Sequence, residues 1–151
     1  KTYSDAELSA LMKQPVEETL KGMYTPVHDD NYKQEVFGSD KPVMVLFYNN
    51  RITHASQGLA TLTRVIHEKF PEIKLCAYKI SDGSYTPREI SPKLRRKYPL
   101  KDTPALLFYD NDDGPIEYFD DISLMGGLKS LKRIKDDIDY YTSAIPKHIL
   151  D

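Results

Sequence analysis

The chain contains 151 residues with a mass of 17.4 kDa, which fits one globular domain that buries a core without needing disulfides or metals. Hydrophobic residues make up 40% of the chain and charged residues 29%, so the composition excludes disordered and fibrous proteins. The 21 Lys and Arg against 23 Asp and Glu give a formal charge of −2, so no overall positive field would draw the chain to nucleic acid or an anionic membrane.

The chain has one cysteine, Cys76. A single thiol excludes an internal disulfide, a Cys-x-x-Cys redox pair and a zinc site built on two thiolates. Because Cys76 stands in an apolar stretch, the pattern predicts a buried core thiol and not a nucleophile. The four histidines show no paired spacing typical of metal ligands, and we expect neither a metal nor a cofactor.

No stretch of the sequence predicts a membrane-spanning segment. The longest run of apolar residues covers 43–48, far short of the ~20 residues that a helix needs to cross a bilayer. The sequence shown begins at Lys1 without a basic-then-apolar leader, so we expect a cytoplasmic protein, with an exported, processed form as the alternative.

The amino-terminal part predicts two short helices. Ser4 and Glu7 have capping-box spacing, and apolar residues follow at helical spacing until Pro15 interrupts them. We therefore expect a helical extension over residues 1–24, which packs on the main domain over residues 25–151 or adds a second contact to a partner.

The next part of the chain predicts a parallel β-α-β unit. A brief extended piece around Val27 and a helix over residues 31–37 precede it. Residues 42–48 are continuously apolar, as in a strand buried on both faces. Apolar residues at spacings of three and four predict a helix from about Thr53 to Phe70. Residues 73–80 then predict a second strand, which completes the unit.

The remaining segments predict a short helix, a β-hairpin and a closing helix. Residues 91–98 begin with Ser-Pro, which suits the start of a helix. Residues 105–109 and 116–119 are strands separated by a turn-forming Asn-Asp-Asp-Gly segment. The final helix has one apolar stripe over residues 128–141 and ends before Pro146.

This order of elements and the local sequence resemble the thioredoxin superfamily over roughly residues 25–143. The start of that stretch, at 27–43, is similar to the entry to the first central strand of bacterial thioredoxins. The segment 91–108 is similar to the family's short helix and to the strand that follows its cis-proline. The resemblance implies an α/β thioredoxin fold, with a central mixed β-sheet flanked by helices and an N-terminal helical extension.

The departures from the family concern its redox chemistry. Where redox-active members carry Trp-Cys-Gly-Pro-Cys, this chain has Arg51-Ile52-Thr53-His54-Ala55. The match also places Leu46 where the family keeps a buried acid, and Ala77 where one common version keeps the lysine partner of that acid. The resemblance, with these losses, implies a redox-silent member with no catalytic residues, and we expect no thiol-disulfide oxidoreductase activity.

The resemblance also implies a peptide-binding groove. Thr103-Pro104 is similar to the family's cis-proline step, which lies against the start of the long helix and lets an extended peptide pair with its backbone. We therefore expect a soluble, non-catalytic module, chaperone- or adaptor-like, that binds a peptide or partner protein. The competing interpretation is a turn kept only because the fold requires it. The candidate contacts are Arg51, Ile52, Thr53, His54, Ala55, Asp102, Thr103 and Pro104.

Two other functions remain open. The helix start at His54, with Arg51 beside it, suits a small anion or glutathione bound by an enzyme without thiol chemistry. A structural domain could instead form homo-oligomers through exposed members of its 11 tyrosines. The basic residues over 93–101 are not interleaved with exposed aromatic residues and match no nucleic-acid motif, so we expect no nucleic-acid partner.

Overall fold

A five-stranded mixed β-sheet lies at the centre of the computed structural model, which describes residues 2–49, 54–81, 96–98, 100, 104–110, 115–117 and 130–150. The strands are β1 (Thr25–Val27), β2 (Val43–Asn49), β3 (Lys74–Ser81), β4 (Ala105–Tyr109) and β5 (Pro115–Glu117). Their order is β1-β3-β2-β4-β5. β1 and β2 each pair parallel with β3, whereas β4 pairs antiparallel with both β2 and β5. A parallel β-α-β unit joined to an antiparallel hairpin is the predicted thioredoxin fold, which is confirmed.

Within the described parts of the chain, four α-helices pack around this sheet. They are α1 (Asp5–Leu11), α2 (Val16–Thr19), α3 (His54–Lys69) and α4 (Leu131–Ile145). The predicted capping box of α1 is present, since the Ser4 hydroxyl accepts from the Glu7 N–H and the Glu7 carboxylate accepts from the Ser4 N–H. A π-helical segment, Pro146–Leu150, continues the chain after α4. Of the helix predicted over 91–98, the structure describes Arg96 and Lys97, both helical, and Tyr98.

The helix predicted over residues 31–37 is a wider π-helical turn, Lys33–Phe37. The Gly38 N–H closes it by donating to the Lys33 carbonyl, five residues back, at 2.9 Å. A Cβ at Gly38 would stand 2.5 Å from the Gln34 carbonyl oxygen, so the chain can pass this close only because glycine has no side chain. The turn seals one face of the sheet with Val36, which is 0% exposed.

The sheet separates two buried apolar clusters. Successive side chains of a strand point to opposite faces, and β2 is buried on both, as its unbroken apolar run predicts. One cluster includes residues of α2, α3 and α4, and the other includes the π-helical turn and residues 98 and 100. From β2, the cluster on the α3 side contains Met44, Leu46 and Tyr48. The cluster on the other face contains Val43, Val45 and Phe47.

The amino-terminal extension shares the core on the α3 side. Val16 and Leu20, which are 5% and 0% exposed, belong to the same cluster as Leu59 of α3. The Arg64 guanidinium, in the middle of α3, donates to the Thr19 carbonyl at 3.0 Å. Residues 2–24 are therefore packed on the main sheet and do not stand apart from it.

Both outer strands of the described sheet are short and contain proline. β1 has three residues with Pro26 in the middle, and β5 has three residues beginning with Pro115. Proline has no N–H to donate, so each rim offers a poor template for a further strand.

Candidate functional site

The residues predicted to form the groove fall only partly within the described structure. His54 and Ala55 are the first two residues of α3, and Pro104 is buried directly before β4. The start of the long helix at this point is therefore confirmed. The other predicted contacts lie outside the described residues: Arg51, Ile52, Thr53, Asp102 and Thr103.

Pro104 lies next to the end of β2. Ala105, the residue after Pro104, is the register partner of Phe47, and β2 ends two residues later at Asn49. The chain then runs from Asn49 to the first turn of α3 across residues 50–53. The proline step and the two elements that flank this segment thus meet at one end of the sheet, whereas the groove itself stays a prediction.

The two positions at which the family keeps a buried acid and its lysine partner lie side by side. Leu46 and Ala77 are register partners across the parallel β2–β3 pair, and their residues are 0% and 3% exposed. Both belong to the apolar cluster on the α3 side. Neither side chain can accept or donate a proton.

Cys76 lies in the middle of the sheet, as its apolar surroundings predict. It is the register partner of Thr25 in β1 and of Val45 in β2, and its side chain is buried with 0% exposure. Burial raises the pKa of the thiol to about 11. Because the thiolate is the nucleophilic form of cysteine, this thiol is both protonated at neutral pH and shielded from substrates.

A polar cluster adjoins the end of the sheet where β2 stops. The Tyr48 hydroxyl donates to Glu17 Oε2 at 2.9 Å, and the Lys79 ammonium lies 3.7 Å from the same oxygen. The Gln57 side-chain amide, in the first turn of α3, donates to the Gln14 carbonyl at 3.0 Å. The chain between α1 and α2, with the start of α2, therefore contacts both elements that flank residues 50–53.

The opposite face of the sheet holds a cluster around Asp29, just after β1. The Tyr78 and Tyr98 hydroxyls donate to Asp29 Oδ1 at 2.7 and 2.9 Å, and the Lys97 ammonium lies 3.2 Å from Oδ2. These interactions, the hydrogen bond from Tyr78 above all, lower the pKa of the Asp29 carboxyl to about 2. Burial and the bond to Asp29 raise the pKa of Tyr78 to about 12. Asp29 thus links β1, β3 and the helical residues before Tyr98.

Tyrosine rings fill the space beneath Asp29. The Tyr32 and Tyr109 hydroxyls are 2.7 Å apart and hydrogen-bonded, and the Tyr32 and Tyr98 ring centroids are separated by 4.5 Å. Burial raises the pKa of Tyr32. The sequence predicts exposed tyrosines that could contact a second copy, and Tyr140 is 65% exposed. Buried instead are Tyr32, Tyr48, Tyr78, Tyr98 and Tyr109.

A cavity of about 740 Å³ lies at the other end of the sheet, where β1 and β3 begin. Its lining carries both signs of charge, with Glu35 and Asp40 near Lys41 and Lys74, and Lys74 is paired with Glu35 at 3.3 Å. Burial lowers the pKa of His67, which also lines it. Such a mixture selects neither anions nor cations.

The described parts of the chain contain neither a cluster of metal ligands nor a membrane-spanning helix. Within them, no three His, Cys, Asp or Glu side chains converge in a way that could hold a metal ion. None of the helices described combines the length and the apolar character needed to cross a membrane.

Comparisons with known proteins give a distant structural likeness. No family model matches the chain, and no curated protein matches its sequence. Among solved structures it is similar to one described as the crystal structure of ERdj5 form I, with 14% sequence identity and a TM-score of 0.47. The likeness covers 89% of this chain and 17% of that chain, so this chain spans about a sixth of that protein's length.

Proposed function

We propose that this chain is a redox-silent thioredoxin-fold protein that binds an extended peptide or an unfolded segment of a partner protein, in a chaperone- or adaptor-like role. The groove comprises residues 51–55 and 102–104, where an added strand would pair with the Thr103-Pro104 backbone. The single observation that carries the proposal is the burial of the chain's only thiol at the centre of the sheet.

The burial of Cys76 and its raised pKa disfavour thiol-disulfide exchange by this chain. Disulfide exchange begins with attack by a thiolate, and a thiol with a pKa of about 11 is ionised in roughly one molecule in ten thousand at pH 7. Cys76 has strands on both sides and is 0% exposed. A substrate disulfide could therefore reach its sulfur atom only after the sheet opened.

The apolar pair at Leu46 and Ala77 supports the same conclusion. A buried acid and its partner would serve proton transfer to and from the reacting thiols, and here a leucine and an alanine pack together in their place. Thiols and relay groups are thus lost together, which is expected of a fold kept for binding.

The geometry around Pro104 supports a binding role for the remaining scaffold. Pro104 lies beside the end of β2, and α3 begins at His54, after four intervening residues. Because both outer strands contain proline, the proline step is a better place than either rim for an extended peptide to pair.

A direct test measures binding of an unfolded polypeptide. We would titrate the protein into fluorescein-labelled, reduced and carboxymethylated α-lactalbumin, which cannot refold, and follow fluorescence anisotropy. The Thr103→Arg variant should raise the Kd at least tenfold because its side chain blocks the groove, and His54→Ala should raise it severalfold. Tyr140→Ser, on the exposed face of α4, is the matched control. Equal binding by both groove variants and wild type would refute the groove.

The same titration separates the two competing functions. Glutathione binding that is lost in Arg51→Ala, without binding of the unfolded polypeptide, would favour a small-anion site at the start of α3. Sedimentation at two protein concentrations would detect homo-oligomers directly.

A further inference from the structure

We infer that Tyr78 and Tyr98, whose hydroxyls share the Asp29 carboxylate, form a site that gives single electrons to one-electron oxidants such as oxygen-centred radicals. The site is independent of the proposed groove, since all of its residues lie around Asp29 in the part of the chain that the structure describes. Disulfide exchange moves electron pairs between sulfur atoms, so a chain that is silent in that reaction can still give up single electrons.

Tyrosines are the most easily oxidised side chains of this protein. The sequence contains no tryptophan. Its one thiol, Cys76, is buried and has a pKa of about 11, so the readily oxidised thiolate is scarce at neutral pH. A one-electron oxidant that reaches the protein therefore takes its electron from a phenol, directly or through neighbouring rings.

The Asp29 carboxylate is placed to accept a phenolic proton. The Tyr78 and Tyr98 hydroxyls donate to Asp29 Oδ1 at 2.7 and 2.9 Å. Burial and the bond to Asp29 raise the pKa of Tyr78 to about 12, so this phenol keeps its proton at neutral pH and must lose it together with the electron. The hydrogen bond from Tyr78 above all lowers the pKa of Asp29 to about 2, so the carboxylate is ionised. It can accept the proton because an oxidised phenol is a far stronger acid than a carboxylic acid.

The electron and the proton leave the phenol for different acceptors. One electron passes from the Tyr78 ring to the oxidant, which is thereby reduced by one electron. The phenolic O–H bond breaks, an O–H bond forms on Asp29, and a neutral phenoxyl radical remains on Tyr78. Because the Asp29 side chain is 45% exposed, it passes the proton to water and is ionised again. A one-electron reductant such as ascorbate restores the phenol by returning one electron and one proton.

A series of ring contacts connects the two tyrosines to the protein surface. Phe37 is 55% exposed, and its ring centroid lies 5.8 Å from that of Tyr32. The Tyr32 centroid lies 4.5 Å from that of Tyr98, which lies 5.4 Å from that of Tyr78. Electron tunnelling weakens steeply with distance, so rings in contact are the shortest route from an oxidant at the surface to Tyr78 and Tyr98.

Burial protects the radical once it has formed. Tyr78 and Tyr98 are 9% and 5% exposed, so their rings cannot meet a tyrosyl ring of another molecule and couple to dityrosine. Tyr140 is 65% exposed, and a radical there would couple in that way. The buried site therefore gives a long-lived radical that a reductant repairs, whereas an exposed tyrosine gives cross-linked dimers.

The first experiment generates the oxidant with light. Photo-oxidised tris(bipyridine)ruthenium(III), a one-electron oxidant, is produced in a solution of the full chain, and electron paramagnetic resonance of rapidly frozen samples measures the tyrosyl radical. Tyr78→Phe combined with Tyr98→Phe should lower the radical yield at least fivefold. The matched control is Tyr140→Phe with Tyr141→Phe on α4, whose ring centroids are 4.8 Å apart. It removes the same number of phenols and should change the yield less than twofold.

The second experiment tests Asp29 as the proton acceptor. Asp29→Asn keeps an oxygen that accepts from both phenols but takes up no proton, so it should slow the formation of the phenoxyl absorption at least fivefold. Asp30→Asn, whose native side chain is 96% exposed, removes the same charge next to the site and should leave the rate unchanged. In D₂O the wild-type rate should fall about twofold, because a proton moves with the electron. A purely structural role of Asp29 would produce no such isotope effect.

Three results would overturn the electron-donor site. Equal radical yields from the two double variants would show that Tyr78 and Tyr98 are not the donors. Equal rates for Asp29→Asn and wild type would show that the carboxylate takes no proton. Dityrosine-linked dimers as the main product of wild type would place the oxidation at exposed tyrosines such as Tyr140, and this measurement needs no variant to fold. The peptide groove is tested separately, by the anisotropy titration.

Discussion

Leu46 and Ala77 are register partners across the parallel β2–β3 pair, and both are buried in the cluster on the α3 side. The family resemblance assigns an acid to the first position and, in one common version, a lysine to the second. The structure thus places two independent sequence departures side by side on adjacent strands, where a charge on one would be unpaired without a charge on the other.

This adjacency predicts that substitutions at Leu46 and Ala77 have coupled effects on stability. Leu46→Asp should lower the free energy of unfolding by about 3–5 kcal/mol because it buries an unpaired charge. Adding Ala77→Lys should recover part of the loss, since the two groups would then pair. Urea unfolding of the two single variants and of the double variant, with Leu46→Ala as a size control, measures the coupling free energy between the two positions. Strictly additive losses would show that the two positions do not interact.

A second prediction concerns Cys76. The protein should not accelerate the reduction of insulin by dithiothreitol, and the Cys76→Ser variant should behave identically, because the thiol is buried with a pKa of about 11. Ellman's reagent should label the native protein at pH 8 only as fast as the protein opens, and label it at once in denaturant. Turnover of insulin by wild type alone would overturn this view of the thiol.

A third prediction tests the register of the family match. Ile52→Cys combined with Ala55→Cys places two thiols where the redox-active members carry theirs, and these should form a disulfide under mild oxidation. Mass spectrometry of the alkylated protein detects the bond, and Cys76→Ser in the same background prevents mispairing. Failure to oxidise would mean that the match is out of register near the start of α3.

A fourth prediction concerns acid stability through Asp29. Its folded pKa is lowered from 3.8 to about 2, so its stabilising contribution is complete above pH 4 and is lost as the pH falls towards 2. Because the side chain is 45% exposed, we expect only about 0.5–1 kcal/mol from it at neutral pH. Asp29→Asn should remove that contribution and flatten the loss of stability between pH 4 and 2. Parallel curves of stability against pH for wild type and Asp29→Asn would contradict this role of Asp29.

A fifth prediction concerns the close passage at Gly38. Gly38→Ala should cost about 1–3 kcal/mol because the new Cβ would stand 2.5 Å from a backbone oxygen that cannot move freely. Gly22 provides the comparison, since it has φ of +77° with open space around its Cβ, and Gly22→Ala should cost about 1–2 kcal/mol. Thermal unfolding of both variants compares their losses of stability. A smaller loss at Gly38 would mean that the π-helical turn can shift.

The elements that the sequence predicts well are those with strong periodicity. One unbroken apolar run predicts β2. The apolar stripe over residues 128–141 predicts α4 without information about the elements that pack against it. The π-helical turn was predicted as an ordinary helix because spacing over seven residues does not distinguish the two. The contacts of Asp29 with Tyr78 and Tyr98 join residues 49 and 69 positions apart, and no local pattern encodes such a meeting.

The candidate site is predicted from the positions at which the sequence departs from the thioredoxin family, and not from the periodicity of apolar residues. The end of β2, the start of α3 and the proximity of Pro104 were accessible from the family match. The bonds from Tyr48 to Glu17 and from Gln57 to Gln14 were not, because the extension lies outside that match. They depend on α1 and α2 packing against α3, which the spacing of apolar residues indicates without fixing the partner.

The prolines at the two rims bear on the proposed binding of unfolded segments. Such chains expose segments ready to stack strand upon strand, and any bare row of backbone amide groups would recruit them into growing fibrils. With Pro26 at one rim and Pro115 at the other, a domain in the proposed role would hold such a segment without serving as a template for its polymerisation.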